Sequence, residues 1–283
     1  MPELPEVEIL VRRLAPLIKN RKIHGVQVWR ARVLGSTSER ALDRALRGAT
    51  FTGLTRRGKY LLFALRQPVT RKTILLVGHL GMTGRIYLMP KDAALPRHAA
   101  VVLDLSRHNF IYEDTRYFGR FTLDARGLAA LGPEPLEPEF TANYFSQALQ
   151  RSAQCIKTKL LDQTLVAGVG NIYASEALFR AGISPRTAAA NLTLAQVKKL
   201  RKSIREVLAA AIRFGSTLPL DFRGSTGRDR LFYYGTTEGE AAFHQERLLV
   251  YDRAGQPCLR CGGSVKRLVQ NARSTFYCPV CQR

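Results

Sequence analysis

The stretch CLRCGGSVKRLVQNARSTFYCPVC, residues 258–281, decides how the end of the chain folds. Its four cysteines follow the pattern Cys-x2-Cys-x16-Cys-x2-Cys, and each pair fits a tight turn. Four thiolates spaced in this way can converge on one tetrahedral zinc ion, which would stabilise a segment too short to bury a core of its own. Two disulfides are the alternative, and they require an oxidising compartment. The pattern therefore predicts one structural Zn²⁺ and a short hairpin between the two pairs. The predicted ligands are Cys258, Cys261, Cys278 and Cys281.

The composition of the whole chain indicates a globular protein of about two domains. Its 283 residues are 46% hydrophobic and 8% aromatic, which excludes a mostly disordered basic tail. No apolar run reaches the roughly 18 residues that a membrane span needs. The first residues, MPELPE, lack the basic and apolar segments of a signal peptide. We therefore expect a cytoplasmic protein that does not span a membrane.

The net charge of +22 indicates a polyanionic partner. Residues 1–135 carry 23 cationic and 11 acidic side chains, and residues 136–283 carry 21 and 11, so the charge is not confined to one tail. Of the 44 cations 33 are arginine, which holds phosphate bidentately and stacks on bases. Nucleic acid is therefore the favoured partner. A basic structural protein, or a protein that binds a membrane surface or an acidic partner, is the alternative.

The order of apolar patterns predicts a β-rich half followed by a helical half. An amphipathic helix over 5–15, which Pro16 ends or kinks, precedes short apolar runs between about 23 and 123 that predict a β-sandwich. A Pro-dense segment follows at 131–138 and predicts a linker. Helical patterns then cover 142–150, 157–164, 171–181 and 194–214. Residues 215–246 show little periodicity and predict a long loop.

The residues that follow Met1 offer a reactive group. Pro2 is small enough for Met1 to be removed, which leaves a secondary amine that is nucleophilic when neutral and forms iminium ions with sugar C1′ centres. A helix N-terminus disfavours the cationic form of that amine. Glu3 stands beside it and is placed to act as a general acid–base. The alternative is that Met-Pro only begins a helix.

Three glycine-containing loops are candidates for contact with DNA. The turn at 168–171, Gly-Val-Gly-Asn, precedes a helix and predicts an anion site, with an ordinary helix cap as the alternative. The loops at 79–84 and 113–119 carry Met82 and Phe118. Apolar side chains on loops can unstack bases, whereas packing in the core is the alternative.

Together these segments resemble formamidopyrimidine-DNA glycosylase, a bacterial repair family for oxidised purines. The resembling stretches run in family order along the whole chain: MPELPEVE at 1–8, RRGKYL at 56–61, HLGMTG at 79–84, LLDQTLVAGVGNIYASEALFRAGISP at 160–185, VYDRAGQPCLRCGG at 250–263 and STFYCPVCQR at 274–283. The combination is far more specific than any one motif.

The resemblance implies an α+β multidomain fold. We expect an N-terminal two-layer β-sandwich with a leading helix over 1–132, a linker over 133–139, a helix–two-turns–helix DNA-binding domain over 140–246 and a zinc finger over 247–283. Within the third part, a loop at about 217–243 would cover the lesion.

The resemblance also implies a bifunctional DNA glycosylase and abasic-site lyase. Its substrate would be double-stranded DNA that contains 8-oxoguanine, formamidopyrimidines or abasic sites. Pro2 would attack C1′ of the flipped nucleotide, Glu3 would protonate the sugar ring oxygen or leaving group, and β- and δ-elimination would cut the strand. Glu6 and Lys59 complete the catalytic set. We expect a monomer in the bacterial cytosol or nucleoid.

The remaining site residues implied by the resemblance contact DNA. The backbone-gripping set is Lys59, His79, Asn171 and Arg273. The trio that fills the gap left by the flipped base is Met82, Arg116 and Phe118. Lys157 matches a lysine near the active site.

Two departures and two alternatives accompany the resemblance. Many members carry a second basic residue after the first arginine of the 113–119 loop, and this chain has the uncharged Tyr117, so the backbone grip there is expected to be weaker. The 217–243 loop is longer than usual, which makes lesion preference the least determined property. An endonuclease VIII-like glycosylase for oxidised pyrimidines and a non-catalytic zinc-ribbon binder of damaged DNA are the alternatives.

Overall fold

A computed structural model describes residues 2–68, 70–215 and 248–283. The predicted lesion-covering loop at 217–243 lies outside these residues. The described residues form two compact units. The first unit contains Pro2, 6–68 and 70–129, and the second contains 3–5, 130–215 and 248–283.

The N-terminal half contains two α-helices and eight strands among its described residues. In chain order they are α1 (Leu4–Ile18), β1 (Gly25–Val28), α2 (Glu39–Leu46), β2 (Thr50–Arg57), β3 (Tyr60–Arg66), β4 (Thr73–His79), β5 (Gly84–Pro90), β6 (Ala99–Asp104), β7 (His108–Asp114) and β8 (Arg120–Thr122). The strands form two antiparallel four-stranded sheets, ordered β1-β6-β7-β5 and β2-β3-β4-β8.

Aromatic side chains from both sheets form the core of the first unit. Phe51 and Phe63 come from one sheet and Phe110 from the other, and all three are fully buried. The ring centroid of Phe110 lies 6.0 Å from that of Phe51 and 5.6 Å from that of Phe63. Because the two sheets bury one shared core, the predicted β-sandwich is confirmed.

Three chain segments meet at one end of the β1-β6-β7-β5 sheet. Val28 at the end of β1 pairs with Val101 near the start of β6. The first residue of β6 pairs with the end of β7, and Asp114, the last residue of β7, pairs with Gly84, the first of β5. The segment after β1, the turn before β5 and the loop after β7 therefore emerge together.

Two predicted helix boundaries are wrong. Helix α1 continues to Ile18, so Pro16 does not end it: a proline in the last turns removes only one backbone donor. The helix predicted over 157–164 spans only Ile156–Lys159, so it ends well before residue 164. There the Asp162 carboxylate accepts hydrogen bonds from the backbone N–H and hydroxyl of Thr164, and such local side-chain bonds compete with helix continuation.

The second unit is helical and ends in a hairpin. Its elements are α3 (Ala142–Gln150), α4 (Ile156–Lys159), α5 (Asn171–Ala181), α6 (Leu194–Gly215), β9 (Lys266–Gln270) and β10 (Arg273–Tyr277). Helix α5 is buried on nearly all sides and packs against α6. No helix within the described ranges is both long and apolar enough to cross a membrane.

A two-residue turn closes the C-terminal hairpin. Asn271 and Ala272 have φ values of 47° and 57°, the left-handed conformation that a tight type I′ turn requires. Val265 and Phe276 pack against Phe179 of α5, so the hairpin and the helix share one small core. The predicted short hairpin is therefore present.

Candidate active site

The carboxylate of Glu3 lies against the N-terminus of α5. Its Oε1 accepts a hydrogen bond from the backbone N–H of Ile172 at 2.9 Å, and its Oε2 accepts one from Tyr173 at 3.3 Å. Glu3 is 1% exposed. Two amide donors and the positive end of the helix dipole stabilise the anionic form. The helix start predicted as an anion site thus binds a carboxylate of the same chain, and a contact with DNA phosphate there stays a prediction.

The two glycines before α5 make room for the start of the chain. A Cβ at Gly170 would lie 2.2 Å from Cδ of Glu3, so no larger residue fits there. Gly168 has a φ of +87°, and a Cβ there would lie 2.6 Å from the Leu4 side chain. The backbone N–H of Leu4 also donates to the carbonyl of Gly168 at 3.1 Å. The absence of a side chain at Gly168 and at Gly170 therefore lets Leu4 and Glu3 pack against the start of α5.

Lys157 and Asn171 extend this site within the second unit. The Lys157 ammonium, which is 0% exposed, donates to Oδ1 of Asn171 at 2.5 Å. Burial lowers the pKa of Lys157 to about 8, with the Glu3 carboxylate raising it and Arg273 lowering it further. Nδ2 of Asn171 donates to the carbonyl of Ser274, at 2.8 Å, so the amide also ties down the strand that starts at Arg273.

Glu176 is a buried carboxylate that the sequence analysis missed. It accepts hydrogen bonds of 2.9 Å from the backbone N–H groups of Leu249, Val250 and Tyr251. Burial raises its pKa, and the three N–H donors partly offset this. The contacts hold the chain segment before the cysteine cluster against α5. The sequence indicated Glu176 only by its position within the resembling segment 160–185.

The four predicted zinc ligands converge. Their Sγ atoms all lie within 4.8 Å of one another. The Cys258–Cys281 and Cys261–Cys278 Sγ pairs are 3.9 and 3.5 Å apart. A ZnS₄ tetrahedron with Zn–S bonds of about 2.3 Å has S···S edges of about 3.8 Å. The donor set and its spacing therefore fit one zinc ion, and all four cysteines are free of disulfides.

In the first unit, Lys59 and His79 lie at neighbouring strand ends. Lys59 follows Gly58, whose φ of +56° forms the β2–β3 turn, and it is 7% exposed. Burial together with the charges of Lys59 and Arg120 lowers the pKa of His79 to about 4. The neutral ring accepts a hydrogen bond at Nδ1 from the backbone N–H of Gly81, at 3.1 Å. Its Nε2 therefore carries the proton and can donate to an anion throughout the physiological pH range.

Helix α1 carries two carboxylates in different surroundings, Glu6 in its first turn and Glu8 between two arginines. Glu6 is 3% exposed and lies in the first turn of the helix. Glu8 accepts hydrogen bonds from Arg12 at 2.7 Å and from Arg56 at 2.9 Å. Arg56 also donates to the carbonyl of Gly58, so Glu8 braces the turn that carries Lys59. Burial raises the pKa of Glu8, but the two arginines outweigh it and hold that pKa below its usual value.

The three predicted gap-filling residues lie on turns rather than in the core. Met82 is 42% exposed and Phe118 is 47% exposed. The guanidinium of Arg116 lies 4.9 Å from the centroid of the Phe118 ring, a cation–π contact. Core packing is therefore excluded for Met82 and Phe118.

A buried carboxylate joins the two turns that carry this trio. Asp114 is 0% exposed and accepts hydrogen bonds from the Thr83 hydroxyl at 2.5 Å and from the backbone N–H groups of Arg116 and Gly119. A Cβ at Gly81 would lie 2.6 Å from the backbone nitrogen of Gly119. The turns at 79–84 and 114–119 therefore form one interlocked structure, which we call the wedge.

Comparison with known proteins gives a consistent result along the whole chain. Residues 1–121 match the model of the formamidopyrimidine-DNA glycosylase N-terminal domain. Residues 131–220 match the H2TH domain of the same enzyme, and residues 255–283 match a zinc finger found in FPG and IleRS.

Relatives and solved structures agree with these matches. The chain is 38% identical to a formamidopyrimidine-DNA glycosylase of Carboxydothermus hydrogenoformans, with all of both chains covered. It is similar to the structure of Lactococcus lactis Fpg (MutM) in complex with DNA that contains N7-benzyl-Fapy-dG, with a TM-score of 0.86, 34% identity and all of both chains covered. The structure of Lactococcus lactis Fpg with DNA that contains an abasic site gives a TM-score of 0.84 at 34% identity, with 99% of both chains covered.

Proposed function

The chain belongs to the formamidopyrimidine-DNA glycosylase family, and from that membership we infer that it is a base-excision repair enzyme. It removes oxidised purines from double-stranded DNA and cleaves the strand at the resulting abasic site. One structural zinc ion supports the C-terminal hairpin. Relatives have been captured on DNA with a formamidopyrimidine lesion and with an abasic site, which supports these substrates. We further propose a monomer that works in the bacterial cytosol, and the domain limits 1–132, 133–139, 140–246 and 247–283.

One observation supports the catalytic roles most directly: the buried Glu3 carboxylate on the α5 amides, next to Pro2 in sequence. We propose that Pro2, once Met1 has been removed, loses its proton to Glu3 and attacks C1′. The bond between C1′ and the base breaks, and the base leaves with the bond's electron pair and takes up the proton that the Pro2 nitrogen loses once it is bonded to C1′. Glu3 then delivers the proton to the sugar ring oxygen, so that the ring opens and a covalent iminium forms.

Elimination follows from that intermediate. Loss of a proton from C2′ expels the 3′ phosphate, and a second elimination expels the 5′ phosphate. The neutral His79 ring, Lys59, Asn171 and Arg273 are assigned to the DNA backbone, and Lys157 to the neighbourhood of Glu3. Glu6 acts as a supporting carboxylate. Met82, Arg116 and Phe118 fill the gap left by the flipped nucleotide, which offsets the cost of unstacking.

A panel of lesion duplexes tests this function. Protein whose N-terminus has been sequenced as Pro2 is incubated with duplexes that contain 8-oxoguanine, a formamidopyrimidine, thymine glycol or no lesion. We expect excision and strand cleavage at the two oxidised purines. In Glu3→Gln, the loss of acid–base catalysis lowers excision by about 10²- to 10⁴-fold while duplex binding survives.

The other outcomes identify the alternatives. Faster excision of thymine glycol than of 8-oxoguanine points to an endonuclease VIII-like specificity. Tight binding to an abasic duplex without any strand cleavage points to a non-catalytic damage binder. Unchanged excision by Glu3→Gln contradicts the role given to Glu3.

A further inference from the structure

A tryptophan and an arginine lie exposed beside the wedge. Trp29, the one tryptophan of the chain, is 54% exposed, and Arg30 next to it is exposed too. They follow β1 directly, at the end of the sheet from which both wedge turns emerge. More than half of the surface of Trp29 is therefore open to solvent. Neither residue takes part in the proposed reaction.

Tyr117 of the wedge holds the Arg30 guanidinium in place. Nε of Arg30 donates to the Tyr117 hydroxyl at 3.1 Å, and the guanidinium lies 5.7 Å from the centroid of the Tyr117 ring. Nη1 donates to the carbonyl of Trp29 at 2.8 Å. Tyr117 itself has a φ of 53°, in the left-handed region that few residues other than glycine adopt.

These contacts leave the positive charge of Arg30 uncompensated. Within residues 2–68, 70–215 and 248–283, the hydrogen bonds of its guanidinium go only to neutral oxygens. A guanidinium has five N–H donors, and two are used in these bonds. Phosphate is recognised by pairs of guanidinium N–H groups, and a side chain already fixed in one geometry loses little entropy on binding.

We propose that Trp29, Arg30 and Tyr117 form an additional contact with the DNA backbone, in which Arg30 binds a phosphodiester next to the wedge. The proposal rests on the proposed function, because the wedge locates the duplex. It also changes the expectation of a weaker backbone grip at Tyr117. The 113–119 loop lacks a second cation of its own, but the Tyr117 hydroxyl binds Arg30 from the segment after β1, and Arg30 supplies that charge. Trp29 lies beside the bound strand and reports on it.

The salt dependence of binding tests this contact. Each phosphate contact contributes about 0.9 to the slope of log Kd against log salt concentration. Arg30→Ala is therefore expected to reduce the slope for an abasic-analogue duplex by about 0.9. Tyr117→Arg in the Arg30→Ala background is expected to restore the slope, because the charge returns to the same place. Wild-type Trp29 fluorescence is expected to change as the duplex saturates the protein.

Arg71→Ala is the matched control. Arg71 is an exposed arginine on the β3–β4 turn, at the opposite end of those strands from Lys59 and His79, about 20 Å away for strands of seven residues. Its removal is expected to leave the slope unchanged. An Arg30→Ala slope equal to that of Arg71→Ala, or unchanged Trp29 emission at saturation, overturns the inference. Failure of the wild-type protein to excise any lesion contradicts the proposed function instead.

Discussion

At the scale of single residues, the site depends on side chains that serve the fold and the chemistry together. Gly170 has no side chain because the Glu3 carboxylate occupies the space that a Cβ would need. Asn171 accepts from Lys157 and donates to the carbonyl of Ser274, so one amide links helix, buried cation and hairpin strand. Burial of the Lys157 ammonium near the Glu3 carboxylate lowers the free energy of unfolding, and this loss can be measured.

Lys157→Met is expected to stabilise the protein while impairing excision. A buried ammonium whose pKa falls from 10.5 to about 8 costs the folded state about 3 kcal/mol at pH 7. Methionine removes that cost but also the hydrogen bond to Asn171, so we expect a net gain of about 2 kcal/mol. Between pH 8 and 10.5 the unfolded chain binds more protons than the folded one, so wild-type stability rises with pH and the advantage of the variant shrinks.

Urea unfolding at pH 7 and pH 9 checks this prediction. Lys159→Met is the control, because the Lys159 ammonium pairs with Asp162 at 2.8 Å and is not fully buried. It is expected to give no gain in the free energy of unfolding. A Lys157→Met variant less stable than wild type at both pH values would show that the ammonium contributes more than its burial costs.

At the scale of elements, the wedge depends on Asp114. Its carboxylate joins the turn before β5 to the loop after β7, and hydrogen bonds to a charged group are worth about 1.5–3 kcal/mol each. Asp114→Asn replaces one acceptor oxygen with a donor, so at least one bonded partner loses its acceptor. We expect excision from intact lesion duplexes to fall about tenfold, and cleavage at preformed abasic sites, where no base must be unstacked, to fall less.

Single-turnover rates on both substrates measure this difference. Asp104→Asn is the matched control: Asp104 ends β6 at the other end of the sheet and pairs with Lys91. It is expected to change neither rate. Equal losses on the two substrates for Asp114→Asn would mean that Asp114 serves general stability rather than the wedge.

The zinc hairpin is the second element with a separable role. Removal of the metal is expected to open the Cys258–Cys281 cluster and increase hydrogen exchange in β9 and β10, because the hairpin shares only a small core with α5. DNA affinity should fall as Arg273 loses its position, and added Zn²⁺ should restore it. Cys261→Ser is expected to lose the metal, whereas Cys155→Ser, outside the cluster, should retain about one zinc per chain. Metal analysis that finds no zinc in wild-type protein contradicts this account.

Local patterns predicted the elements better than the contacts between them. The bounds of α3 and α5 follow from periodicity, and the cysteine spacing alone predicts the hairpin and its ligands. The sequence gives little signal for strand β2, because its buried residues Phe51 and Leu54 are three positions apart, on either side of a register shift between Phe51 and Gly53. The contacts of Glu3 with α5 and of Arg30 with Tyr117 join residues 169 and 87 positions apart, and no local pattern encodes such a distance.

At the scale of the whole molecule, the net charge of +22 comes from cations with two different roles, a few assigned to particular phosphates and many that add general affinity. Each half of the chain is basic, and the described site residues of each unit include cations assigned to phosphate, such as Lys59 and Arg273. The many other arginines contribute affinity that depends on salt and not on sequence. Charge alone does not separate a DNA binder from an enzyme. That distinction depends on Pro2 and Glu3, two residues that add no positive side chain.

Borohydride trapping tests the central claim most directly. Protein whose N-terminus is Pro2 is incubated with an 8-oxoguanine duplex in the presence of borohydride, and the crosslinked peptide is identified by mass spectrometry. Reduction of an iminium is expected to join the Pro2 nitrogen to C1′ of the sugar in a stable amine, in step with excision. A crosslink on another residue, or excision without any crosslink, would contradict the assignment of Pro2 as the nucleophile.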